Sequence, residues 1–140
     1  MKKILVPVDD SEQSKRACQA AKDLALKYDS NIVLINVVSG LVCRSCGITT
    51  FPHELEGAKE MLLEIKESFF DNFGEKVETQ YLTGDIASEI LACAKREQAD
   101  LIVMGSRGRG RGLGVFSRTL LGSISNKVVN HSDVSVLIVK

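Results

Sequence analysis

The chain carries no surplus of charge: 18 Lys and Arg stand against 18 Asp and Glu, for a formal net charge of zero. A protein without a global field is poorly equipped to gather nucleic acid or anionic membrane by long-range attraction, so a nucleic-acid partner is not expected. Long apolar runs are missing too, and nothing approaches the ~18 residues of a membrane span. Met1-Lys2-Lys3 followed by Ile4 to Val8 begins like a signal peptide, but Asp9 and Asp10 end the apolar run far too early. A soluble protein located in the cytoplasm is the expectation.

Histidine and cysteine are also too sparse for several chemistries. Only His53 and His131 occur; the first reads as a loop residue, the second as a helix-end residue suited to the dipole, and neither suggests a nucleophile's base. Cys43-Arg-Ser-Cys46 is a single CxxC with no second pair, two ligands short of a structural zinc site. Pro52 and the next helical pattern lie several residues beyond it, which argues against a thioredoxin-like site and for a surface-loop pair. Cys18 and Cys93 sit among Ala and Leu in helical patterns and read as small buried apolar residues.

What the chain does have is alternation. Lys3 to Val8 is a short β-branched run, and Ser11 can cap a helix reaching about Tyr28, with Ala17, Ala21, Leu24, Ala25 and Tyr28 on one stripe. Asn31 to Val38 is apolar nearly throughout, as for a strand covered on both faces. A long loop is expected from Ser39 to Pro52, then a helix over Glu54 to Phe73. Lys76 to Thr83 alternates polar and apolar residues, which suits an edge strand. Asp85 can cap a helix from Ile86 to Glu97; Leu101 to Met104 is the fourth strand. A last helix ends near His131, and Val134 to Lys140 is the fifth strand. The expected fold is a single α/β domain over residues 1–140, a doubly wound five-stranded parallel sheet with helices on both faces. Pro7 fits only if strand pairing has ended there, leaving residues 7 to 9 as an open lip.

Between the fourth strand and the last helix lies a loop holding Gly105, Gly108, Gly110, Gly112 and Gly114, followed by Leu120-Leu121-Gly122-Ser123. A strand that empties into glycines before a helix start is an anion cradle, because bare amides and a positive dipole end can approach a phosphate. Walker A spacing fails on chemistry: Arg111 and Gly112 stand where Lys and Ser or Thr belong. No GxGxxG register exists either. Asp9 and Asp10 could accept from a nucleoside's hydroxyls or amine, could equally hold a divalent cation such as Mg2+ or Mn2+ against phosphates, or could simply cap a solvated turn.

At these residues the chain resembles the universal stress proteins, in their ATP-binding branch. ILVPVDDSEQSKRA, LINVV, LTGDIASEI, ADLIVMGSRG, LLGSIS and VSVLIVK all match, covering nearly everything except about residues 40 to 75. The resemblance implies strand order 3-2-1-4-5, with the reversal placing Asp9 and Gly105 on one crevice, and an adenine nucleotide, ATP or AMP, as ligand. It implies that Asp9 holds the adenosine, that Pro7 and Val8 line its pocket, and that Val37 meets adenine through its backbone. Gly105 and Gly108 would approach ribose and phosphates. Gly122 and Ser123 would bind phosphate at the helix start, with Met104, Ile124 and Ser125 beside them.

The family's spacing is Gly, two residues, Gly, nine residues, Gly, then Ser or Thr. Here thirteen residues separate Gly108 from Gly122, and the nine-residue spacing starts from Gly112. Either the surplus bulges outward or Gly112 takes the role of Gly108, and Arg107, Arg109 and Arg111 could then reach phosphates. A mobile solvated Arg-Gly loop is the plain alternative. The functions left open are a nucleotide-binding stress or signalling module, a slow metal-dependent ATP hydrolase, and RNA binding through the Arg-Gly tract. The resemblance also implies a homodimer paired through residues 134–140.

Overall fold

A computed structural model describes residues 1–39, 41–43, 47–49, 52–107 and 121–140. Strand β1 (Lys3–Pro7) leads to α1 (Glu12–Tyr28), then β2 (Asn31–Val38) and a small antiparallel pair, β3 (Leu41–Cys43) and β4 (Gly47–Thr49). Helix α2 (Pro52–Phe70) runs through a 3-10 segment (Asp71–Lys76) into β5 (Val77–Thr83). Then come α3 (Ile86–Arg96), β6 (Leu101–Gly105), α4 (Ser123–His131) and β7 (Ser135–Val139). The main sheet is parallel throughout, in the order β5-β2-β1-β6-β7. Counted over its five strands, that is 3-2-1-4-5 with helices around it, as expected.

The central strands are apolar on both sides because both sides are covered. Ile4, Val6, Ile32, Leu34, Leu101 and Val103 face α1 and α2, where Ala17, Cys18, Ala21, Leu62 and Phe70 meet them. Leu5, Val33, Ile35, Ile102 and Met104 face α3 and α4, against Ala87, Ile90, Cys93 and Val128. Small residues on the inner stripe of α1 let that helix lie close to the sheet. Its last turn escapes the pattern: Tyr28 is exposed, since Asp29 turns the chain left-handed (φ 55°) directly after it. Cys18 and Cys93 are free and buried, as the helical patterns indicated. Burial pushes the Cys18 thiol up to about 12. It raises Cys93 as well, against the opposing pull of Arg96. Neither is a thiolate near neutral pH.

Three expectations need correcting. The stretch from Ser39 to Pro52 is not simply a loop, since Leu41–Cys43 pairs with Gly47–Thr49, Cys43 opposite Gly47; Cys46 lies outside the described residues. His53 is not a loop residue but stands in the first turn of α2, because Pro52 takes the first helical position, where its missing N–H costs nothing. The helix after it stops at Phe70 rather than Phe73. The chain tightens there and reverses at Gly74 (φ 55°), while Phe73 still packs edge-on against Phe70 at 5.5 Å between ring centroids.

Side-chain caps and clamps hold the strand ends. Ser11 Oγ accepts from Ser14 N–H, and an Asp85 carboxylate oxygen accepts from Ser88 N–H, so both expected N-caps form. Asp100 Oδ2 accepts from the amides of Lys2 and Lys3 at 2.7 and 2.9 Å. Glu97 bonds Gln80 and Lys3. These contacts hold the Asp85, Glu97 and Asp100 carboxyls below their ordinary range, chiefly through hydrogen bonds from Ser88, Gln80 and Lys3 respectively. A depressed folded pKa adds stability that is present above the unfolded value and is lost as pH falls through the folded one. Melting temperature should therefore hold level down to roughly pH 5 and fall below about pH 4. Glu97→Gln should flatten part of that acid limb, as read by thermal melts across pH.

Candidate functional site

Strand order reverses between β1 and β6, and β1 stops short of its neighbours at that point. Its pairing with β6 covers Ile4↔Leu101 and Leu5↔Ile102, while β6 continues to Gly105 and β2 to Val38. Pro7 explains part of this. Main-chain groups in a parallel strand alternate sides, and Val8 N–H donates to Ile35 O at 2.8 Å on the β2 side. The nitrogen of Pro7 therefore faces β6, where it has no hydrogen to give. The lip expected at residues 7 to 9 is open toward β6 and still tied to β2. The result is a notch bounded by β2, the end of β1, and the exit of β6.

On the β2 wall stands Val37. The same alternation, with Ile35 O facing β1, turns the N–H and C=O of Val37 toward the space where β1 has ended. Among the described residues neither group has a partner. On the floor, Asp9 Oδ1 accepts from Ser11 N–H at 2.9 Å, which closes a turn ahead of α1. Val8 is buried at the notch's base, and Asp9 and Pro7 are half-buried. Met104 turns its side chain into the α3 and α4 core instead.

The β6 wall is organised by Ser106. Its N–H donates to Val139 O of β7 at 2.8 Å, and its carbonyl accepts from Gly122 N–H at 2.8 Å and from Ser125 Oγ at 2.7 Å. Gly122 is the N-cap of α4, so the two ends of the glycine-rich connection are pinned together at their base. Gly108 and Gly112, with Arg109 and Arg111, lie outside the described residues. Arg107 sits half-buried beside this stem, its Cα 3.5 Å from where a Cβ on Gly122 would be.

The roles within the first turn of α4 divide. Gly122 N–H is taken by Ser106, and the Ser125 hydroxyl, on a residue 2% exposed, is taken by the Ser106 and Gly122 carbonyls. Helical bonding starts with Asn126 N–H to Gly122 O. The amides of Ser123, Ile124 and Ser125 are thus left as donors with no partner among the described residues, at the positive end of the helix dipole. Ser125→Ala should cost about 1 kcal/mol in chemical denaturation through loss of a buried hydrogen bond.

Three residues make contacts here to which the sequence alone assigns no role: Ser14, Asn36 and Ser106. Ser14 is buried and accepts from Asp9 N–H at 3.0 Å, and Asn36 Nδ2 donates to Val8 O at 2.8 Å. The available signals were an asparagine inside an otherwise apolar strand and a serine three positions after a capping serine.

Comparison with known proteins gives a consistent answer. The Universal stress protein family profile matches residues 1–140. The chain is 34% identical to universal stress protein MJ0531 of Methanocaldococcus jannaschii, covering 99% of this chain and 82% of that protein. It is 34% identical to YxiE of Bacillus subtilis, covering 99% and 98%. Among solved structures it is similar to MJ0577, with a TM-score of 0.81, 32% identity and coverage of 99% and 95%. It also shares its fold with a universal stress protein from Archaeoglobus fulgidus solved with dAMP, at a TM-score of 0.77, 21% identity and coverage of 100% and 98%. A universal stress protein solved with cAMP shares it too, at a TM-score of 0.76, 21% identity and coverage of 99% and 97%. With a matching profile over its whole length and these relatives, this chain belongs to the universal stress protein family.

Proposed function

We infer that the protein binds an adenine nucleotide, ATP or AMP, in the notch beyond β1 and serves as a nucleotide-responsive stress or signalling module. One observation carries this: the walls of the notch present main-chain groups of two different kinds that have no partner among the described residues. The Val37 N–H and C=O form a donor and acceptor side by side, the complement of an adenine edge with its ring nitrogen and exocyclic amine. The Ser123, Ile124 and Ser125 amides form an all-donor cluster at a helix start, the complement of phosphate. Asp9, just past the end of β1, would take the ribose. The structures solved with cAMP and dAMP fit this reading; at 21% identity they speak for the fold, and the weight rests on the notch.

ATP in hundred-fold excess over its Kd should stabilise the protein by about 2.7 kcal/mol, read as a rise in melting temperature. Asp9→Ala should abolish most of that rise. Absence of any shift with ATP, ADP or AMP would overturn the reading. Phosphate release above that of the Asp9→Ala variant would move it toward a hydrolase, with Mg2+ or Mn2+ as the cation to supply.

We also infer pairing of two copies through β7. Among the described residues no strand lies beside its outer edge, and Leu137 and Val129 are exposed apolar residues on β7 and α4.

A further inference from the structure

The peptide group joining Val8 to Asp9 is held at both of its polar atoms by side chains from other elements. Its carbonyl oxygen accepts from Asn36 Nδ2 at 2.8 Å, and its N–H donates to Ser14 Oγ at 3.0 Å. The register makes the first contact more than a brace. Pro7 pairs with Ile35 and Val8 N–H donates to Ile35 O, so in a ladder continued by one step Val8 O would accept from Val37 N–H. The Asn36 amide stands in that place. It imitates the next rung of the ladder and leaves the main-chain donor of Val37 without a partner among the described residues.

We propose that Asn36 is a positioning residue that keeps the sheet unzipped at β1 and so reserves Val37 N–H for a ligand, while Ser14 holds the same peptide so that Asp9 keeps its aim. The inference rests on the adenine-nucleotide reading for its ligand, but its central claim concerns the apoprotein. Removing the Asn36 side chain lets the ladder close by one rung, with Val37 N–H on Val8 O. The notch then loses its adenine-facing donor before any nucleotide arrives. Removing the Ser14 hydroxyl loosens Asp9 and leaves Val37 as it was.

Amide hydrogen exchange followed by NMR, paired with calorimetry, tests this on the full chain. In the unsubstituted apoprotein Val37 N–H should exchange readily and become protected on adding ATP. In Asn36→Val it should be protected without nucleotide, with ATP bound about ten-fold more weakly. Tripolyphosphate, which probes the phosphate wall alone, should bind both proteins equally. Ser14→Ala should weaken ATP binding while Val37 exchange stays as in the unsubstituted protein, a split that general loosening of the fold would not produce. An unprotected Val37 amide in Asn36→Val, or unchanged ATP affinity there, overturns the inference and leaves nucleotide binding standing. No ATP binding by the unsubstituted protein overturns the nucleotide reading itself, and the ligand half of this inference with it.

Discussion

Gly105→Val should be among the most damaging single substitutions in the chain, and Gly105→Ala should already cost about 1–3 kcal/mol. For a domain of this size that is a fall in melting temperature on the order of 10 °C. A Cβ at position 105 would stand 2.8 Å from Gln13 Cβ and 3.0 Å from the Gln13 carbonyl carbon. Neither atom can swing away, because both belong to the first turn of α1 or are fixed to it. Accommodation must move the helix start, which carries the Ser11 cap and the Ser14 contact to Asp9. Stability and nucleotide response should therefore fall together. Gln13→Gly in the Gly105→Ala background should restore part of the loss, since it removes the nearest of three close contacts, the third being the Arg107 carbonyl oxygen at 3.2 Å. Gly122→Ala is the contrast. Among the described residues its Cβ would meet nothing nearer than Ser106 O at 3.4 Å, and φ there is −63°, so stability should change by less than about 1 kcal/mol. Denaturant melts of the two alanine variants side by side decide the point; equal losses would refute it.

That contrast shows what was legible in the sequence and what was not. The glycine at the end of β6 was visible as a signal, and an approach to ribose was the meaning attached to it. The structure gives it a further one, close approach of α1 to the sheet, which follows from packing between segments far apart in sequence. Alternation of Lys3–Pro7, Asn31–Val38 and Leu101–Gly105 with capped helices was readable because each element carries its own periodicity and its own stop. The polar pattern of Val77–Thr83 showed it to be an edge for the same reason. The pair β3 and β4 was not readable: three-residue strands flanking a CxxC have neither length nor a hairpin turn sequence to mark them. Asn36 and Ser14 escaped because their partners are main-chain atoms 28 and 5 residues away. Asn36 does interrupt an apolar strand, but which main-chain atom it meets depends on a pairing register that local pattern does not carry. Pro7 lay between these cases: its missing donor was evident, but which neighbour lost a bond depended on the parity of the register.

Ile138→Pro should separate a paired protein into single chains while leaving the chain itself folded. Ser106 N–H donates to Val139 O, so the main chain of Val139 faces β6. Alternation then turns the N–H of Ile138 to the open edge. Proline at 138 therefore removes a donor that no described residue of the same chain uses, and its fixed φ is close enough to extended backbone for an edge position. Some packing is lost, since Ile138 lies partly buried against the α3 and α4 core. Leu137→Pro supplies the control: its N–H faces β6, so it breaks the ladder within one chain and should lower the melting temperature further. Sedimentation equilibrium should give twice the chain mass for the unsubstituted protein and for Leu137→Ala, and the single chain mass for Ile138→Pro. A single chain mass for the unsubstituted protein, or a persistent pair in Ile138→Pro, would exclude pairing through β7. If the pair forms as expected, Ser106 joins the two interactions. Its N–H holds β7 at the partner's edge and its carbonyl holds the start of α4, so phosphate at those amides and a second copy at β7 act on one residue. ATP should then shift the dimer dissociation constant, and the dimer should shift ATP affinity by the same factor.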